Sequence, residues 1–185
     1  MKWVVWVGSV RKGSYNAAIA RALQGIAPDG VTVELLPSVA ELPIYDADIQ
    51  AQGFPAAVTA LGAAIKAADG LIIVTPEYNY SIPGGLKNAI DWVSRLPEKP
   101  IKEKPVLIQS ASMGVLGGAR AQYHLRQMLV FLDAFAMNVP EVMVGQVQTK
   151  VTDGELTDKG TLDFIAGQLA AFETYVRKLK AGASA

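Results

Sequence analysis

Three short, largely apolar runs, Trp3–Val7, Leu71–Thr75 and Pro105–Ser110, are each followed by a loop rich in glycine and small polar residues and then by a stretch with helical spacing. Such a run leaves no face for solvent, so a strand made from it is buried on both sides. A strand covered on both sides needs helices above and below it, and that is the arrangement of a parallel sheet. The pattern restricts the chain to alternating strands and helices before any single residue is weighed.

The rest of the chain completes the alternation. Asn16–Ile26 places Ala17, Ala18, Ile19, Ala22, Leu23 and Ile26 on one helical face, and Pro28-Asp29-Gly30 breaks it ahead of a strand over Val31–Leu36. Further helices are read over Pro55–Ala68, from Pro83 through Leu96, from Gly117-Gly118 up to Pro140, and over Thr157–Leu179. Glu141–Val144 reads as a short fifth strand, and residues 38–53, with turn signals at Pro43, Asp46/Asp48 and Gly53, as an irregular loop. Right-handed crossovers then give a flavodoxin-like three-layer α/β sandwich, its five-stranded parallel sheet in the order 2-1-3-4-5. One domain is expected over residues 1–180, with 181–185 as a frayed tail. In that order the winding reverses between the first and third strands, so a ligand is expected against the loops that follow them.

Composition removes several classes of function. The 185 residues are 51% apolar and 18% charged, with 17 basic and 17 acidic side chains, which fits a compact soluble protein and gives no attraction to nucleic acid or to an anionic membrane. No cysteine is present, which excludes disulfides, thiolate nucleophiles and cysteine-held metals. The one histidine, His124, cannot build a metal site alone, so no metal is expected. No run is long enough to span a membrane, and the N-terminus lacks a cleavable-signal pattern, so the cytoplasm is the expected compartment.

The loop after the first strand, Gly8-Ser9-Val10-Arg11-Lys12-Gly13-Ser14-Tyr15-Asn16, has the chemistry of an anion site. A helix N-terminus offers unpaired N–H groups and a partial positive charge. Ser9, Ser14 and Asn16 add donors, Arg11 a planar fork, and Gly13 a place where backbone can approach closely. The alternative is a plain strand-to-helix turn with Ser14 as its N-cap. A Walker A loop would need Lys at 14, and a dinucleotide fingerprint would need G-x-G-x-x-G here; both are absent.

Pro76 and Pro83 bracket a second loop in which Tyr78 and Tyr80 flank Asn79, a stiff platform for a flat heterocycle. After the fourth strand, Ser110 to Gly118 lies beside the same crevice, with Ser112 and backbone N–H groups within reach of a ring. Arg120 opposes the dipole of the helix it begins, which calls for an anionic partner: a nicotinamide nucleotide's phosphate, a substrate oxyanion, or a carboxylate of a neighbouring subunit. His124 reads as a surface or interface residue and Trp92 as core.

Gly8-Ser9-x-Arg11-x-x-Ser14-x-Asn16, Pro76-Glu77-Tyr78-Asn79 and Pro83-Gly84-Gly85-Leu86-Lys87-Asn88-Ala89-Ile90-Asp91-Trp92 resemble the NADPH-dependent FMN reductase family, in particular its soluble quinone/chromate reductase branch. The resemblance implies non-covalent FMN, NAD(P)H as electron donor, a quinone or oxyanion such as chromate as acceptor, and a homodimer or homotetramer. It puts Ser9, Val10, Arg11, Lys12, Gly13, Ser14, Tyr15 and Asn16 at the FMN phosphate. Pro76, Glu77, Tyr78, Asn79 and Tyr80 fall at the ring, with Ser112, Met113 and Gly114 on its far side and Arg120 near the nucleotide or an interface. No catalytic side chain is implied, because the flavin carries the chemistry. The competing class is a flavodoxin-type electron carrier, but such carriers are strongly acidic and lack an arginine in the phosphate loop.

Overall fold

The computed structural model describes residues 1–183. Strand β1 (Lys2–Val7) runs near the middle of a parallel sheet, and its side chains alternate between the two faces as the pleat requires. Trp3 and Val5 enter one core, Val4 and Trp6 the other, and all four are fully buried. The two tryptophans, large for such positions, are accommodated as packing residues.

β1 pairs in parallel with β2 (Thr32–Leu35) on one side and β3 (Gly70–Thr75) on the other; β3 in turn pairs with β4 (Pro105–Ala111). With β5 (Phe135–Ala136) beside β4, the order β2-β1-β3-β4-β5 is the one expected, and the fold is flavodoxin-like. Helices α1 (Tyr15–Ile26) and α6 (Lys159–Ala183) cover one face through Ile19, Leu23, Ile165, Leu169 and Phe172. Helices α3 (Ala56–Ala67), α4 (Gly84–Arg95) and α5 (Ala119–Phe131) cover the other through Ile65, Leu86, Ile90, Leu125 and Leu129.

The structure departs from expectation in five places. Helix α5 stops at Phe131 and does not run to Pro140. Asp133, at φ 54°, turns the chain: its N–H donates to the carbonyl of Val130 and that of Ala134 to Leu129, a Schellman cap built without glycine. The released segment forms β5 (Phe135–Ala136) before β6 (Val142–Val144), and both pair with β4, so the fifth strand is split. Residues 38–53 are not irregular: they hold a 3-10 turn (Val39–Glu41) and helix α2 (Ala47–Ala51). A hairpin of β7 (Val151–Thr152) and β8 (Glu155–Leu156) went unread, although its Asp153-Gly154 turn is a strong hairpin signal. The tail expected to fray at 181–185 continues α6 through Ala183, and 184–185 lie outside the described residues.

Candidate active site

Parallel winding brings the loops after β1, β3 and β4 to one end of the sheet. The first two nearly touch. Gly8 donates its N–H to the carbonyl of Val74 at 2.9 Å, and a Cβ on Gly8 would lie 2.7 Å from Thr75 Oγ1. Glycine at 8 is therefore a requirement of loop packing.

In the first loop Ser14 is the N-cap of α1, its Oγ accepting the N–H of Ala17 at 3.2 Å. Among the described residues the N–H groups of Val10, Lys12, Gly13, Tyr15 and Asn16 meet no protein acceptor, so the capped turn still presents a cluster of donors. Arg11 and Lys12 are exposed beside it, with the Arg11 guanidinium 5.9 Å from the Tyr15 ring. The anion-site and capping readings hold together here. Gly13 does not have a left-handed φ, and a Cβ there would meet no protein atom within 4 Å, so nothing in the chain itself demands glycine at that position. The side chain of Asn16 differs from expectation. It is buried, and its amide is engaged with the backbone of Ala111 at the end of β4.

The second loop is a tight turn. Tyr78 and Ser81 exchange both backbone hydrogen bonds, at 2.9 and 3.0 Å, and between them Asn79 and Tyr80 adopt φ of 51° and 68°. Positive φ at both central residues is the type I′ geometry, which asparagine tolerates and tyrosine does not favour. The strain holds Tyr80 outward, 63% exposed, with Tyr78 at 49%. Ser81 Oγ lies 3.1 Å from Nδ1 of His124, which ties this turn to α5.

Glu77 accounts for Arg120. Its carboxylate accepts the N–H groups of Arg120 at 3.0 Å and Ala121 at 3.3 Å, capping α5, and lies 3.4 Å from the Arg120 guanidinium. That guanidinium stacks 4.1 Å from the Tyr80 ring centroid. The anion that Arg120 calls for is thus a carboxylate of its own chain. The Glu77 side chain is committed to α5, so what this residue offers a ligand is backbone.

In the third loop Ser112 donates its N–H to Val144 and its hydroxyl to the Gly114 carbonyl, whereas the N–H groups of Met113 and Gly114 meet no acceptor among the described residues. Gly117 and Gly118, at φ 59° and 90°, turn the loop into α5; a Cβ on either would collide with Met143 or Ser110. Val10, Tyr78, Tyr80 and Met113 each expose about half or more of their surface, so three separate loops present apolar side chains at one sheet end. Donors free of protein acceptors beside an arginine, next to an exposed apolar and aromatic wall, fit FMN: a phosphate at one end and a flat, hydrogen-bonding ring system at the other.

Two motif residues have a role that sequence reading did not assign. Asn88 donates to the Pro43 carbonyl at 2.8 Å and accepts the N–H of Tyr45 at 2.7 Å, and the Trp92 indole donates to the same carbonyl at 2.8 Å. They pin the 38–53 segment onto α4. The cleft of about 340 Å³ between the C-terminal ends of α4 and α5, lined by Arg95, Lys102 and Phe131, lies at the opposite end of the sheet and contains none of the site residues. Among the described residues no helix is long and apolar enough to cross a membrane, and no cluster of acidic or histidine side chains could hold a metal.

A doubly wound fold with such a crevice at its switch point defines a nucleotide-type cofactor protein. The chain belongs to the NADPH-dependent FMN reductase family, whose model matches residues 1–149. FMN as cofactor and NAD(P)H as electron donor come with that membership. The chain is 60% identical over 180 residues to a quinone reductase of Escherichia coli K12, covering 96% of each protein. It is 48% identical over 174 residues to an NAD(P)H-dependent FMN reductase of Pseudomonas aeruginosa, 94% of each. Among solved structures, FerB of Paracoccus denitrificans, a flavoenzyme NAD(P)H:(acceptor) oxidoreductase, superposes with a TM-score of 0.85 at 36% identity, covering 96% of this chain and 97% of that one.

Proposed function

We propose that the chain is a cytoplasmic, FMN-dependent NAD(P)H oxidoreductase that delivers electrons to quinones, with chromate and other metal oxyanions as further acceptors at the same site. One observation carries this reading: N–H donors with no protein acceptor among the described residues lie beside Arg11 at the same sheet end as the exposed wall of Val10, Tyr78, Tyr80 and Met113. FMN held there would supply the two-electron chemistry that links NAD(P)H oxidation to reduction of the acceptor. The first loop and Arg11 hold its phosphate. The type I′ turn and the N–H groups of Met113 and Gly114 hold its ring.

Donor and acceptor share the open side of the crevice, and Arg120, paired with Glu77 yet 41% exposed, stands at its mouth with the remaining donors of its guanidinium turned to the donor's phosphates in this proposal. Segment 38–53 is held to α4 through the Pro43 carbonyl, which in this proposal keeps it from closing over the site and leaves room for acceptors of different shape. That openness supports the wider acceptor range, and the likeness to quinone reductases supports the quinone. A second copy of the chain walls the open side in this proposal. Tyr123, Val130 and Phe131 on α5 are 53%, 79% and 87% exposed, an apolar face suited to a symmetric dimer or a tetramer. Light scattering of the FMN-bound protein checks this: dimers or tetramers are expected, and full activity in a monomer removes the shared wall.

Steady-state kinetics tests the main reading. Varying NAD(P)H at several quinone concentrations should give parallel double-reciprocal lines. Intersecting lines would mean that both substrates bind together, and absence of NAD(P)H oxidation would return the chain to the class of electron carriers.

A further inference from the structure

Asn16 is the second residue of α1 and is 3% exposed. Its amide closes on one backbone unit 95 residues away: Nδ2 donates to the Ala111 carbonyl at 3.1 Å, and Oδ1 accepts the Ala111 N–H at 3.0 Å. Ala111 ends β4, and the next residues, Ser112 to Gly114, are the third loop of the crevice. We propose that Asn16 is a positioning residue that locks the phosphate loop to the ring loop, so that the two ends of the flavin nucleotide are gripped in register, and that its side chain is not a phosphate ligand. The inference deepens the FMN reading and rests on it.

The placement supports this. β1 and β4 are separated by β3, so the loops at their ends stand two strand spacings apart, about 10 Å. Among the described residues these two bonds are the only hydrogen bonds joining residues 8–16 to 111–118. The far side of the third loop is fastened independently: Ser112 bonds to Val144 and Val147, and Gly114 accepts from Gln146. Asn16 therefore supplies the near side. The bracket needs a donor and an acceptor on one short planar group. An aspartate lacks the donor, and an alanine would remove both bonds to the backbone of Ala111, itself 1% exposed.

A bracket and a ligand behave differently toward a flavin without phosphate. A ligand of the phosphate matters to FMN alone, whereas a bracket between the loops matters to riboflavin as well, because it holds the loop that meets the ring. Asn16→Ala is expected to raise the dissociation constants of FMN and riboflavin by similar factors, about tenfold each. Arg11→Ala, measured beside it, should weaken FMN and leave riboflavin unchanged. A loss confined to FMN in Asn16→Ala would make Asn16 a phosphate ligand and overturn the proposal. A loss of thermal stability with both constants unchanged would reduce the residue to a structural one and overturn it equally.

The wild-type protein gives a second test should the variant not fold. In the FMN-free protein the side-chain amide protons of Asn16 should exchange slowly with solvent, and adding FMN should leave that protection unchanged. Fast exchange that slows only with FMN would overturn the bracket. A wild-type protein that binds neither flavin would overturn the FMN reading itself, a separable result.

Discussion

The two ends of the sheet differ in how they treat their polar groups. At the end where strands begin, the chain satisfies itself. Asp69 accepts the N–H of Lys2 at 2.7 Å and pairs with Lys180, and Lys104 donates to the carbonyls of Lys66 and Ala68 where α3 terminates. At the end where strands finish, N–H groups of two loops have no protein acceptor among the described residues, apolar side chains stand exposed, and Tyr80 is held at a strained φ of 68°. The cause is the winding. Every strand-to-helix loop presents a positive helix N-terminus at one end, and every helix-to-strand loop presents a negative C-terminus at the other. The negative end is neutralised by lysine from within the chain, while the positive end is left for an anion from outside. A binding site and a stabilising girdle thus follow from one topology.

Substitutions at the two ends should therefore separate cofactor binding from stability. The largest effect is expected at Arg11. Its charge-assisted contact to the FMN phosphate is worth about 1.5–3 kcal/mol, so Arg11→Ala should weaken FMN roughly 10- to 150-fold in a fluorescence titration, with an unchanged melting temperature. An unaltered dissociation constant would remove Arg11 from the site. Lys104→Met is the counterpart at the other end. It loses two bonds at a helix terminus and should cost about 1–2 kcal/mol of stability in urea unfolding, with FMN affinity intact. A matching loss of FMN affinity would break the comparison.

Tyr80 sharpens the contrast because strain and function meet there. Tyr80→Gly relieves the left-handed backbone and should leave stability equal or raise it by up to about 1 kcal/mol, while FMN binding weakens through loss of the ring. If denaturant unfolding shows a clear loss of stability, the Tyr80–Arg120 stack outweighs the strain. The smallest effect concerns Asp69. Burial pushes its carboxyl up, but the hydrogen bonds from Lys180 and the Lys2 N–H outweigh that and hold it below the usual 3.8. Its contribution is therefore present above the unfolded value and lost as pH falls through the lower folded one. Asp69→Asn should flatten the acid limb of stability below about pH 4 by a few tenths of a kcal/mol and leave FMN binding at neutral pH unchanged.

The sheet order was legible because apolar runs at 3–7, 71–75 and 105–110 alternate with helical stretches, which favours a parallel sheet covered on both faces, and right-handed crossovers then lead to the order found. The candidate phosphate loop was legible because donors, glycine and arginine cluster within nine residues. Asn16 and Glu77 show where such reading stops. Both stand inside the motifs, yet the partners of their side chains, Ala111 and the first turn of α5, lie 95 and 43–44 residues away. Local sequence carries no sign of that distance. The end of α5 was missed for a local reason: its cap uses aspartate where glycine would have marked the stop. The order within 38–53 was missed because Asn88 and Trp92, which impose it, belong to another element.

The most direct measurement is an anaerobic absorbance spectrum of the purified, FMN-loaded protein mixed with NADH or NADPH. If the strand-end crevice holds FMN for reduction by the nucleotide, the flavin bands bleach with at least one donor and return when a quinone is added. Failure of the protein to retain FMN, or flavin bands that neither nucleotide bleaches, would contradict it.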